Sequence, residues 1–125
     1  MRLRYHGIWV AIGLGLVTTL VVLSLIPAPP TGLDFEGSDK IEHMMGYAVL
    51  MGWFMQIYAQ PTVRARIALA LTALGFAVEI LQGLGGVRYF DYLDAAANAS
   101  GVLLAWWVLR PPFSRLLWHL ERALA

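Results

Sequence analysis

"EILQGLGGVRYFDYLDAAANASG", residues 79–101, sets a glutamate, a glutamine, an arginine, two aspartates and an asparagine around a glycine-rich centre. On either side the chain is written mostly in Leu, Ala, Val, Ile and Trp. Gly83, Gly85 and Gly86 allow backbone conformations that other residues resist, so the chain can reverse there. The stretch therefore reads as the end of one apolar helix, a tight reversal and the start of the next.

Working outward, the 125 residues are 59% hydrophobic and only 14% charged, too apolar for a domain whose surface must be hydrated. A membrane protein of one domain, residues 1–125, is expected. Hydrocarbon offers the backbone no hydrogen-bond partners, so spanning elements are helices or closed barrels, and long apolar runs without period-two alternation select helices. There is no cysteine, hence no disulfide framework and no thiolate metal site. No basic, aromatic-interleaved surface points to nucleic acid.

Four spans are expected, at about 8–26, 40–59, 64–84 and 91–109, ended by "PAPP", "QPT", "GLGG" and "RPP". Crossing about 30 Å of hydrocarbon takes roughly 20 residues at about 1.5 Å each. "MRLR" before the first run also fits a signal peptide cleaved after Ala28. The run exceeds a usual signal core and Pro29 follows directly, which favours a retained anchor. From about 112 to 124 an amphipathic interfacial helix is expected, with Phe113, Leu116, Leu117, Leu120 and Leu124 on one face and Arg115, His119 and Arg122 on another.

If the spans alternate, Arg2, Arg4, Arg64, Arg66, Arg110, Arg115 and Arg122 share one side, which the positive-inside rule makes cytoplasmic. Both termini are then inside. The outer side receives Asp34, Glu36, Asp39, Glu42, Asp91 and Asp94 against Lys40 and Arg88.

This topology carries polar side chains from three spans to the outer face. On span two, Asp39, His43 and Tyr47 are spaced by four and share a helical face, with Lys40 beside them. On span three, Glu79 and Gln82 lie about a turn inside the hydrocarbon edge. On span four, Asp91, Asp94, Asn98 and Gly101 form one stripe, and Arg88 sits in the connection before it. Ionisable groups within spans cost a few kcal/mol each on insertion scales, so these stripes are expected to meet in one outward-opening pocket. Asp91 also suits a helix N-cap.

"DKIEHMMGY" (39–47) followed by "EILQ", Arg88, Asp91, Asp94 and "NASG" at these spacings resembles the VanZ-like family of small bacterial membrane proteins. That family is named for a member associated with resistance to glycopeptide antibiotics such as teicoplanin. The resemblance covers residues 39–101, and its hallmark polar positions fall on Asp39, Lys40, His43, Glu79, Gln82, Arg88, Asp91, Asp94 and Asn98. The family's usual proline near the arginine is missing from "GGVR" here. The resemblance implies a fold and a setting, the bacterial cytoplasmic membrane and cell envelope, rather than a reaction.

Three chemistries suit these residues. Asp39, His43, Glu79 and Asp94 are the candidate catalytic set: His43 oriented by Asp39 can act as a general base, with a carboxylic acid as proton donor. His43, Glu79, Asp91 and Asp94 can also ligate a divalent cation such as Zn²⁺, Mn²⁺ or Mg²⁺. Alternatively the pocket binds an anionic lipid-linked or cell-wall-precursor headgroup without turning it over, through Lys40, Tyr47, Gln82, Arg88, Asp91 and Asn98. The third reading is an ion network that only holds the bundle together, pairing Asp39 or Asp94 with Arg88 and Lys40 with Glu79.

Other features have plainer readings. "NAS" at Asn98 fits a glycosylation sequon but falls inside a span. Gly13 and Gly15, and Gly101 with Ala105, suit helix packing. Tyr5, Trp9, Trp106 and Trp107 fall where an aromatic belt is expected, and His6 and His119 lie on the cytoplasmic side, away from His43.

Overall fold

The structure, a computed structural model, describes residues 3–25, 38–85, 92–109 and 113–124, without the side chains of residues 38 and 39. Arg2, Asp34, Glu36, Arg88, Asp91 and Arg110, and the side chain of Asp39, lie outside the described residues. Every element among them is helical: α1 (His6–Leu25), α2 (Ser38–Ile57), α3 (Pro61–Leu84), α4 (Tyr92–Val108), a 3-10 turn (Phe113–Arg115) and α5 (Leu116–Leu124).

The chain runs up and down. The Ser24 end of α1 meets the Gln82 end of α3, and the first turns of α2 and α4 lie beside them. At the opposite end, α5 packs by the start of α1 and the end of α2. Among the described residues, Glu79 and Asp94 thus lie toward one end of the bundle, with Lys40 beside them, and Arg4, Arg64, Arg115 and Arg122 toward the other, with Glu121 among them.

α3 starts at Pro61, three residues before the expected position. Pro61 has no amide hydrogen and a fixed φ, which suits the first helical position, and Gln60 precedes it in extended conformation (φ −68°, ψ 127°). "QPT" therefore ends one helix and opens the next. Arg64 reaches back across this short turn, donating from Nε to the Tyr58 carbonyl (2.6 Å) and from Nη2 to the Met55 carbonyl (2.7 Å). It satisfies acceptors that the end of α2 would otherwise leave open.

α2 is the central element, touching every other helix. Its mid-height core joins Tyr47, Leu50, Met51 and Met55 to Leu71 of α3 and Val102 and Ala105 of α4. A second cluster at the basic end joins Leu3, Phe54, Ile57 and Leu117. α4 meets α2 closely at Gly101, where a Cβ would stand 2.1 Å from the Met44 carbonyl oxygen. Gly13 faces the side chains of Phe54 and Trp53, 2.9 Å from a Cβ placed there, whereas Gly15 has nothing within 4 Å among the described residues.

Among the described residues two helices, α1 and α3, are long and apolar enough to cross a membrane. α2 has the length but carries Lys40 and Glu42 near its start, and α4, at 17 residues, is about 25 Å long. The outside of the bundle is apolar: Ile8, Leu14, Met45, Val49, Leu69, Leu84 and Trp107 are all exposed.

α5 departs from the two-faced helix expected. Together with the 3-10 turn before it, it has three faces: Ser114, Leu117 and Glu121 are buried against the bundle, Phe113, Leu116, Leu120 and Leu124 are exposed and apolar, and Arg115, His119 and Arg122 are exposed and basic. Leu117 is thereby separated from the apolar residues grouped with it. The reason is Glu121, one turn beyond Leu117, which the bundle draws inward.

Candidate functional site

At the acidic end, α2, α3 and α4 bring together Lys40, His43, Tyr47, Glu79, Gln82, Asp94 and Asn98. Helical spacing explains the convergence: residues three or four apart stack on one face, and the close approach at Gly101 sets the α2 and α4 faces against each other. Glu79 lies five residues from the end of α3 and His43 five from the start of α2, both about 7.5 Å from their helix ends.

Lys40 Nζ stands 3.2 Å from Asp94 Oδ1, an ion pair across α2 and α4. His43 Nδ1 lies 3.1 Å from Asn98 Oδ1 and 3.8 Å from Glu79 Oε1. Asn98 thus holds the imidazole at Nδ1; the side chain of Asp39, expected to orient it, lies outside the described residues. One ligating atom each from His43, Glu79 and Asp94 lie within 4.8 Å of one another, close enough for these three to share a cation. Asp91, grouped with them by sequence, lies outside the described residues.

Burial grades along α2. The Lys40 side chain is 33% exposed, that of His43 15%, and Tyr47 is 2% exposed, so the cluster opens at Lys40 and is closed at Tyr47. Glu79 and Gln82 are fully buried, and Asn98 and Asp94 nearly so. The ring of Tyr47 and the side chain of Asn98 both crowd Gly75, where a Cβ would stand 3.3 Å from Tyr47 Cζ and 3.0 Å from Asn98 Cβ. The Tyr47 hydroxyl lies near enough to Glu79 to feel its charge and makes no hydrogen bond among the described residues. Gln82 donates to the Ser24 carbonyl, tying α3 to α1, while its Oε1 makes no such bond.

The opposite end holds a second set of buried polar residues. Glu121 accepts from the backbone N–H of Arg4 (2.6 Å) and Tyr5 (2.8 Å) and from the Trp9 indole (2.6 Å). It caps α1 from a distant part of the chain, where the helix dipole favours a carboxylate. Burial pushes the Glu121 carboxyl up, but these three donors and the Arg4 charge together hold it below its usual range. Gln56 donates to the Phe113 carbonyl (2.6 Å) and accepts from the Leu116 N–H, fastening α5 to α2. Trp53 donates to the Trp9 carbonyl (2.9 Å), so this tryptophan is built into the structure as well as lying near its end.

Sequence reasoning missed Glu121 and Gln56. The available signal was a single acid in an otherwise basic closing segment, placed one turn from the buried Leu117, and a lone amide in the apolar second half of α2. No family model, no curated protein and no solved structure matches this chain.

Proposed function

We propose that the chain is a VanZ-like protein of the bacterial cytoplasmic membrane, with four spans, both termini inside and α5 lying in the inner interface. In this reading the acidic-end pocket faces outward and binds the anionic headgroup of a lipid-linked envelope molecule or cell-wall precursor. The exposed apolar residues on all four long helices support embedding in lipid. Arg4, Arg64, Arg66, Arg115 and Arg122, grouped at one end, support the orientation.

The observation that carries the binding reading is the Tyr47 hydroxyl, buried near Glu79 of α3 and Asn98 of α4 and left without a hydrogen-bond partner among the described residues. An unsatisfied buried hydroxyl costs about 1–3 kcal/mol, a cost that a bound ligand removes. Lys40, at the open side, offers a cation to an anion entering from the outer surface. An apolar groove of about 280 Å³ between α1 and α2, lined by Leu20, Leu23, Met45 and Val49 among others, lies just below the level of His43. It is positioned for the hydrocarbon part of a lipid-linked ligand.

The structural reading keeps one specific support, since Lys40 with Asp94 and His43 with Asn98 already form pairs across α2 and α4. The two readings separate in nanodiscs doped with a polyprenyl phosphate or an anionic phospholipid. Saturable binding that weakens tenfold or more in Lys40→Met and Tyr47→Phe supports the pocket. Equal affinity for neutral and anionic lipid, unchanged by either variant, removes it. Cysteines near Glu36 and Arg64 test the orientation: an impermeant reagent applied outside labels the first and spares the second.

A further inference from the structure

We propose that His43, Glu79 and Asp94 form a three-ligand site for a divalent transition-metal ion, Zn²⁺ or Mn²⁺, whose fourth position faces the Tyr47 hydroxyl and takes a headgroup oxygen. The identity of that fourth ligand rests on the headgroup reading above; the metal site itself does not.

The geometry of the donors comes first. An imidazole nitrogen and two carboxylate oxygens lie within 4.8 Å of one another. An ion held at about 2.1 Å sets tetrahedral ligands about 3.4 Å apart. The donors therefore close by at most about 1.4 Å, within reach of side-chain rotation by two carboxylates and an imidazole. One nitrogen with two carboxylate oxygens is a donor set that borderline ions accept. Three protein ligands with a fourth position open is the arrangement of ions that act on substrates.

The surroundings match an outer shell. Lys40 holds Asp94 from a neighbouring helix, and Asn98 Oδ1 lies against the His43 ring at Nδ1. The Tyr47 hydroxyl is an independent pointer to a ligand. It is buried, makes no hydrogen bond among the described residues, and lies beside Glu79 and Asn98, one turn below His43. Its proton is placed for an oxygen bound to the ion.

Charge makes the same point. Glu79 and Asp94 bring two carboxylates together beside Lys40 and His43. A divalent ion held between those carboxylates gives the headgroup a further cation to meet.

The test uses the full chain in nanodiscs of neutral phosphatidylcholine, titrated with Mn²⁺ or Zn²⁺ alone. Expected are one bound ion per chain and, for Mn²⁺, a nitrogen coupling from imidazole in pulsed electron paramagnetic resonance. His43→Gln, which retains a polar group opposite Asn98, abolishes the coupling; Glu79→Gln and Asp94→Asn each weaken binding about tenfold or more, with helix content by circular dichroism unchanged. The proposal fails if folded wild type binds neither ion at about 1 mM, the weak end of specific sites. It fails equally if binding persists undiminished in His43→Gln and Glu79→Gln, or shows no nitrogen coupling. Metal binding without headgroup binding keeps this site and removes the headgroup reading; headgroup binding in chelator, with no metal bound by wild type, does the reverse.

Discussion

The two ends of the bundle bury polar groups to different effect. At the basic end the Glu121 carboxylate accepts three N–H donors, Gln56 uses both halves of its amide, and Arg64 closes the carbonyls of Met55 in α2 and of Tyr58 just after it. At the acidic end Lys40 pairs with Asp94 and His43 with Asn98, yet the Tyr47 hydroxyl and Gln82 Oε1 have no hydrogen bond among the described residues. Buried polar groups are normally satisfied, because leaving one unmade costs more than making it gains. One end has spent its hydrogen-bonding capacity on architecture, and the other has kept some in reserve.

The contrast can be broken most forcefully at the contact that aligns the pocket faces. Gly101→Leu, with a Cβ 2.1 Å from the Met44 carbonyl oxygen, should cost about 3 kcal/mol or more in a denaturation titration. It should also scatter the His43–Asn98 contact one turn away. Glu121→Ala comes next. It strips three donors of their acceptor and should melt the bundle earlier than any single polar substitution in the acidic pocket, while headgroup binding at any temperature where the chain stays folded is retained. If Glu121→Ala destroys binding without lowering thermal stability, the division between the ends is wrong.

Smaller effects sharpen the comparison. Gln56→Ala leaves the Phe113 carbonyl and the Leu116 N–H without a side-chain partner and should cost about 1–3 kcal/mol, seen as selective hydrogen exchange in α5. Acid should loosen the same end. The Glu121 carboxyl is held below its usual range, so its contribution is complete above the ordinary glutamate value and is lost as pH falls through its lower folded value. Tryptophan fluorescence followed downward in pH should report this step, and Glu121→Gln should flatten it. Last, Tyr47→Phe removes a hydroxyl that has no hydrogen bond among the described residues, and should raise ligand-free stability by up to about 1 kcal/mol while weakening headgroup binding. A loss of stability in Tyr47→Phe would place this hydroxyl in the architecture instead.

The helices were legible because apolar runs and their proline and glycine stops are local signals. Among the described residues the four long helices begin and end within three residues of their expected limits, and α5 begins four residues after its own, behind the 3-10 turn. The polar stripes were legible for the same reason, since spacing by three and four needs only helix geometry to place His43, Tyr47, Glu79, Asp94 and Asn98 on inward faces. Partners were harder. That Asn98 holds His43 depends on the height at which α4 crosses α2, which Gly101 sets through a contact 57 residues away in sequence. Glu121 was hidden because nothing near it in sequence needs an acid; its donors lie 112 to 117 residues upstream. The third face of α5 was hidden with it, because a helical wheel shows which residues share a side and not which side the bundle claims.

The bridge from Glu121 to the start of α1 also has a consequence in time. Its two backbone donors, Arg4 and Tyr5, are synthesised early and their acceptor 117 and 116 residues later. At about 5–20 residues per second, that is an interval of about 6 to 23 s. Throughout it these two amides wait without the carboxylate that later accepts from them. The order of assembly is therefore set by the ribosome: the pocket end, built from α2, α3 and α4, can close while the far end is still waiting for its latch.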